Sequence, residues 1–196
     1  MKNIIVILLI SLFINSCKPA EENLETRIQL SFSHHANGSQ LSTDSMIHTN
    51  AAGEKFNVKT LAYLLSDITL HNEDGSSILL KEIQYININE QSSLYFESDV
   101  IDNGSYNALS FRFGLDTIKN ISNNYVNENF HSTMAWPEPM GGGYHYMKLE
   151  GAFTNDSNFY NTHTGGLMEM DFSFSKSLDI NGFNIDNDTE NKGLMI

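Results

Sequence analysis

RIQLSFS, residues Arg27 to Ser33, places Ile28, Leu30 and Phe32 at every second position and Arg27, Gln29, Ser31 and Ser33 between them. Successive side chains of a β-strand point to opposite faces, so this alternation marks a strand with one buried face. Leu109, Phe111 and Phe113 repeat the pattern against Ser110 and Arg112. Met168, Met170, Phe172 and Phe174 repeat it against Glu169, Asp171, Ser173 and Ser175. Further strands are predicted over Leu61 to His71, Ile78 to Asn89 and Tyr144 to Phe153, with turn chemistry at Asp74-Gly75 and Asn103-Gly104. Asp116 to Phe130 carries Ile118, Ile121, Tyr125 and Val126 at roughly helical spacing. Its five asparagines in fifteen residues weaken a helix, so it reads as a structured loop. No internal repeat or heptad stands out. The expected fold is all-β: an antiparallel β-sandwich with long loops and little helix.

Outward from these strands, the two ends of the chain read differently. Residues 1–16 have the form of an export signal, with Lys2 as the basic start and an almost wholly apolar run from Ile4 to Ile14. A membrane-spanning helix needs about 20 apolar residues, so this run is a signal-peptide core and not a span. The chain's single cysteine follows, and FINSC resembles a bacterial lipobox, which makes Cys17 the expected site of lipidation. The alternative is an unpaired cysteine after an ordinary signal; either way one cysteine forms no intramolecular disulfide. Residues 17–24 read as a lipidated tether, 25–178 as the sandwich domain, and 179–196 as a polar, acidic tail without a closing strand. The expected location is the cell envelope, as an exported lipoprotein of the outer membrane, with its face left open.

The formal charge is −13, from 11 basic and 24 acidic residues. Removing residues 1–16 takes away only Lys2, so 10 minus 24 leaves −14. Phosphate backbones are held by clustered Lys and Arg, and no such cluster occurs here, which disfavours a nucleic-acid partner. About 180 residues suffice for one domain with a real core.

The chemistry concentrates in FHSTMAWPEPMGGGYHYMKLEGAFTNDSNFYNTHTG, Phe130 to Gly165, which holds the only tryptophan, three histidines and three methionines. Imidazole and thioether donors suit copper, and thioether suits Cu(I) in particular. Pro137 and Pro139, two of the chain's three prolines, flank Glu138 beside Trp136 and are followed by Gly141 to Gly143. WPEP is not strand sequence, which puts Trp136 on a loop at a sheet end, although a single large aromatic is more often core. Alternation from Tyr144 to Phe153 puts His145 and Met147 on one face, where they could share a site; Met147 serves equally as core filler. His145 follows the triple glycine, where a constrained loop can fix a side chain. His163 lies 18 residues on, a spacing that suits neighbouring strands. His34-His35 offers a third source, of which at most one joins a given site. His48, His71 and His131 read as surface or hydrogen-bonding residues.

Other chemistries find little. GxSxG, HExxH, P-loop and CxxC motifs are absent. Asp186, Asp188 and Glu190 have calcium-loop spacing without the glycine an EF-hand requires. Glu138 and Glu150 have no sequence signal for an acid/base pair. A non-enzymatic protein is expected.

YLLSDITLH (Tyr63 to His71), SYNALSFRFGLD (Ser105 to Asp116), MAWPEPMGGGYHYMKLEG (Met134 to Gly151) and THTGG (Thr162 to Gly166) together resemble the MbnP-like family, the secreted or lipid-anchored proteins of methanobactin-type clusters, over roughly Arg27 to Phe174. The resemblance implies a copper-associated β-protein in which Cu(I) is held by histidines and by a tryptophan oxidised to kynurenine. It implies a dihaem cytochrome c peroxidase of the MauG type as the oxidising partner. Trp136 then becomes the modified residue, His145 and His163 the ligands, and His34 or His35 a further ligand. Many members carry a second tryptophan where Glu138 stands here, and members usually continue beyond the equivalent of Lys192, which implies a truncated C-terminus. Three functions follow as expectations. The first is a lipid-anchored copper-binding protein in copper acquisition or handling. The second is a docking partner and substrate of the peroxidase without copper storage. The third is an adhesion-type sandwich in which Trp136 and Tyr144 stack on carbohydrate.

Overall fold

The computed structural model describes residues 26–168, 170–186 and 191–196. The predicted export signal, Cys17 and the predicted tether lie outside the described residues, as do Asp188 and Glu190 of the calcium-like spacing. The strands are β1 (Arg27–Ser31), β2 (His35–Ala36), β3 (Ser39–Gln40), β4 (His48–Thr49), β5 (Lys55–Asn72) and β6 (Ser77–Asn87). They continue with β7 (Tyr95–Glu97), β8 (Gly104–Phe113), β9 (His145–Phe153), β10 (Phe159–Gly165), β11 (Phe174–Ile185) and β12 (Asn191–Met195). The described α-helix is one turn, His131–Met134.

The all-β sandwich is the observed architecture. A three-stranded sheet, β12-β1-β7, faces a seven-stranded sheet in which β10-β9-β5-β8-β11 are joined by β4 and β6. Ile28 and Leu30 of β1 and Phe96 of β7 meet Leu65, Ile68, Leu70, Ile86 and Leu109 of the larger sheet in one buried cluster. The alternation of RIQLSFS thus has the predicted consequence: Ile28 and Leu30 are fully buried and Gln29 is exposed. All described pairings are antiparallel except β1 with β12, which is parallel, and one isolated parallel bridge.

β5, 18 residues long, is the spine. One edge pairs with β9 through Phe56 to Tyr63 and then with β8 through Leu65 to Asn72. The chain leaves that edge at the end of β8 and returns at the start of β9, so residues 114–144 emerge at the junction between the two partners. Ser66 Oγ donates to Gly114 O there at 2.8 Å, and Gly114 N donates to Leu64 O at 2.9 Å. Asp67, at φ 54°, bulges beside it and pairs with Lys119 Nζ at 2.7 Å, which ties the departing loop to the sheet. Residues 114–144 cover the sheet face away from the sandwich. A second buried cluster forms there from Ala62, Leu64, Tyr85, Leu115, Phe130, Met134, Tyr144 and Tyr146.

Three expectations need correction. Met168 to Phe174 is not a strand: Leu167 and Met170 bridge across a tight turn with Met168 at φ 47°, and β11 begins only at Phe174. The apolar members of that alternation, Met168, Met170, Phe172 and Phe174, are all exposed. The tail from Asp179 does carry strands, since β11 runs to Ile185 against β8 and β12 closes the smaller sheet beside β1. β11 is an edge strand with mostly exposed side chains, and a backbone ladder requires no apolar residues. Asn103-Gly104 is not a hairpin turn, because β7 pairs with β1 and not with β8; Asp74-Gly75 does turn β5 into β6.

Candidate metal centre

The loop that carries Trp136 is closed on itself. Ala135 and Tyr144 form an antiparallel bridge, and Trp136 N donates to Gly143 O at 2.9 Å. Pro137 opens a single 3-10 turn, Glu138–Met140, and Gly141, Gly142 and Gly143 all take positive φ, 118°, 69° and 81°. Three successive residues there are rare for anything but glycine, which is why the sequence spends a triple glycine on the turn. Ser122 and Asn120 clamp it, Ser122 Oγ accepting from Gly143 N at 2.7 Å and Asn120 Oδ1 from Tyr144 N at 2.8 Å. Beneath, the buried Tyr144 hydroxyl accepts from Tyr125 N at 3.0 Å and meets His131 Nδ1 at 2.9 Å. The loop is held from below by polar contacts within the second core.

This frame brings Trp136, His145 and His163 into one contact chain. The Trp136 and His145 rings lie 4.4 Å apart between centroids at 80°, and His145 and His163 lie 5.0 Å apart at 83°. Gly165 lets the indole approach: a Cβ there would sit 3.0 Å from Trp136 Cδ2 and 3.1 Å from Cε3. Trp136 is half-buried, His145 is buried, and His163 stays open to solvent.

Plain alternation does not produce this meeting. Thr164 pairs with Met147 but Gly165 pairs with His145, so the register slips by one residue and Tyr146 is bulged. Paired residues share a face, and Gly165 lies two residues from His163, so the slip turns His145 to the face of His163 and Lys148. The expectation that His145 and Met147 share a face is therefore corrected. Met147 pairs with Tyr63 on the opposite face.

Each imidazole has one nitrogen committed to the protein. His145 Nδ1 lies 3.1 Å from Met134 O; a carbonyl only accepts, so Nδ1 bears the proton and Nε2 keeps its lone pair. Burial, reinforced by the nearby His163 and Lys148 charges, lowers the His145 pKa against the opposing hydrogen bonds, which favours the neutral, metal-binding form. His163 Nε2 donates to Glu150 Oε1 at 2.7 Å, leaving Nδ1 as its donor site. Burial opposes ionisation of Glu150, but the His163 hydrogen bond, the Lys148 charge and Thr60 outweigh it and keep its pKa low. A carboxylate behind a ligating imidazole fixes its tautomer and raises its basicity.

His34 is not brought to this group. Its Nε2 lies 2.9 Å from the Tyr63 hydroxyl, and Tyr63 packs toward the sandwich core on the far face of the sheet. His35 is in the two-residue strand β2 paired with Gln40. Tyr144 is fully buried, which removes it as a platform for stacking on carbohydrate. Among the described residues no three His, Cys, Asp or Glu side chains converge, so the donor set is two imidazoles beside one indole. Two imidazole nitrogens with no carboxylate between them fit a soft, low-coordinate ion such as Cu(I) better than a hard cation. Glu150 is the residue that sequence reading missed. Its signal lay in the hairpin register, since Glu150 faces Asn161, diagonal to His163.

Comparison with known proteins gives the family and the fold. The family model described as MbnP matches residues 25–195. The solved structure of MbnP from Methylosinus trichosporium has a similar fold, with a TM-score of 0.56 and 11% sequence identity, over 83% of this chain and 73% of that one. A search of curated proteins gives no match.

Proposed function

The chain belongs to the MbnP family, and from that premise we propose that it is a copper-binding protein of the cell envelope that takes part in copper acquisition or handling and is not an enzyme. The observation that carries the reading is the Trp136–His145–His163 contact chain, in which each imidazole has one nitrogen engaged by the protein and the other left as a donor. His145 Nε2 and His163 Nδ1 are the proposed ligands. Bound there, Cu(I) is cargo. The residues around it orient the rings, favour the neutral form of His145 and shield it from water.

Trp136 completes the set once oxidised to kynurenine. In that step the indole C2–C3 bond breaks, each carbon takes an oxygen from water, and C2 leaves as formate on hydrolysis. The electrons pass to a dihaem peroxidase whose oxidant is peroxide. The product has an aniline nitrogen and a ketone where the indole had one weakly basic nitrogen. Half-burial on a loop lets electrons leave the ring without the peroxidase enclosing it. A lipid at Cys17 would hold the protein to the outer membrane.

Cu(I) affinity, measured by competition against a chromogenic chelator, tests the ligands: His145→Ala/His163→Ala should lose binding, and unchanged affinity would sink the assignment. His34→Ala should leave it unaltered. Peptide mass spectrometry over residues 130–148 from protein grown in its own host tests the modification. The second reading, a peroxidase substrate without copper storage, draws on the accessibility of Trp136. Copper-free protein with Trp136 fully converted would favour it.

A further inference from the structure

β6 is an edge strand: its ladder runs to β5, and among the described residues no strand pairs with its other side. The direction of its backbone groups follows from the partner. Leu64 O accepts from Gly114 N on the far side of β5, so Tyr85, opposite Leu64, turns its own amide and carbonyl away from β5. Direction alternates along a strand, so Ile83 and Asn87 point outward with it. Asn87 N is already taken, donating to Ser93 Oγ at 2.9 Å, and Tyr85 O accepts from Gln84 Nε2 at 3.0 Å. The amides of Ile83 and Tyr85 and the carbonyl of Ile83 have no partner among the described residues. Ser93 closes the edge at one end, and a register shift between Ile68 and Thr69 interrupts the ladder at the other.

Three cavities follow this open stretch. The largest, about 390 Å³, opens on Ile83 and Tyr85 between Tyr95 and Phe96 of β7 and Phe130 of the covering loop. One of about 220 Å³ lies on the loop side, among Tyr125, Glu128 and Phe130. One of about 260 Å³ lies on the side of the smaller sheet, against Glu97 and Asp99. A strand added to β6 would send successive side chains to opposite faces, into the loop-side and sheet-side cavities in turn.

Charge identifies the occupant. Glu82, Glu97, Asp99 and Glu128 line the groove, are exposed, and form no salt bridge among the described residues; Lys81 is the one basic residue lining it. A second copy of the chain would bring the same carboxylates against one another, on a molecule whose formal charge is −13. On the loop side, Tyr125 and Phe130 beside Glu128 suit a guanidinium, which stacks on aromatic rings while pairing with a carboxylate.

We propose that β6 is a docking site for an extended, basic segment of a partner protein, which adds to the sheet as a strand at Ile83 and Tyr85. Backbone hydrogen bonds supply the attachment, and arginine or lysine side chains directed to Glu128 on one face and to Glu97 and Asp99 on the other supply the selectivity. The site stands apart from the histidine pair and does not rest on the copper reading.

The probe is a fluorescein-labelled peptide, Val-Arg-Lys-Val-Arg-Val, titrated into the whole protein. Anisotropy should report saturable binding, and amide hydrogen exchange of Ile83 and Tyr85 should slow when the peptide is bound. The same peptide methylated at every backbone nitrogen keeps its charges but donates no backbone hydrogen bond, and should bind at least about tenfold more weakly. Glu97→Gln/Asp99→Asn/Glu128→Gln changes only exposed side chains, so it should fold as the parent and lose at least about tenfold in affinity. His145→Ala/His163→Ala should bind the peptide as the parent does, whatever its affinity for copper. Exchange at Ile83 and Tyr85 that the peptide leaves unchanged would overturn the proposal, as would equal binding of the methylated peptide or undiminished binding by the triple variant. A protein that sediments as a dimer with both amides already protected would put a second copy on the edge and overturn it as well.

Discussion

Gly165→Ala isolates the contact on which the proposed metal centre depends. The added Cβ would lie 3.0 Å from Trp136 Cδ2, 3.1 Å from Cε3 and 3.3 Å from Cε2. Ordinary carbon contacts lie at about 3.5–4.0 Å, so the indole must withdraw by roughly 0.5–1 Å. The withdrawal is opposed by the Trp136 N to Gly143 O bond, 2.9 Å, and by the Nε1 bond to Met140 O. Overpacking in closed cores costs about 1–3 kcal/mol, and a half-exposed indole on a loop belongs at the lower end, about 1 kcal/mol. For a domain of this size that lowers Tm by about 2–4 °C. Because Trp136 is the only tryptophan, its fluorescence reports this contact alone. The emission should shift to the red, quenching of the indole as His145 protonates should weaken, and Cu(I) affinity should fall. An unchanged spectrum, pH profile and affinity in the alanine variant would refute the idea that Gly165 seats the indole against His145.

Glu150→Gln should cost under about 1 kcal/mol, because both partners of the His163 pair are about one-third exposed, yet lower Cu(I) affinity about tenfold or more by freeing the ring; chelator competition beside a urea melt separates the two effects. Tyr144→Phe removes a fully buried hydroxyl that accepts from Tyr125 N and meets His131, so it should cost about 1–3 kcal/mol in urea denaturation. The folded-state pKa of His145 is lowered, so the unfolded chain binds a proton more readily: its contribution to stability is complete above the unfolded pKa of about 6.5 and is lost as pH falls through the folded value. An NMR titration should find His145 changing charge at a lower pH than an exposed histidine, and His145→Gln should flatten that part of the stability profile.

Alternation alone decided the fold class. Ile28 and Leu30, or Leu109 within β8, repeat every second residue because one face of each strand meets a core, and that need is local. The tight turn before His145 was likewise legible, since only glycine readily occupies three successive positive-φ positions. The 18-residue spacing of His145 and His163 belongs to a hairpin, which the structure forms.

Tertiary structure decided the rest. Met168 to Phe174 alternates as a strand does, but among the described residues no strand ladder includes Met168, Asp171 or Phe172, and a strand exists only against a partner. The polar tail becomes β11 and β12 because β8 and β1 offer open edges, which side-chain pattern does not encode. The meeting of Trp136, His145 and His163 turns on one bulge at Tyr146: a one-residue slip moves His145 to the other face, away from Met147 and onto Trp136 and His163. His34 stays across the sheet for the complementary reason, that its partner Tyr63 keeps its regular alternation. Sequence determined which donors were available; register, a property of two strands at once, determined which of them meet.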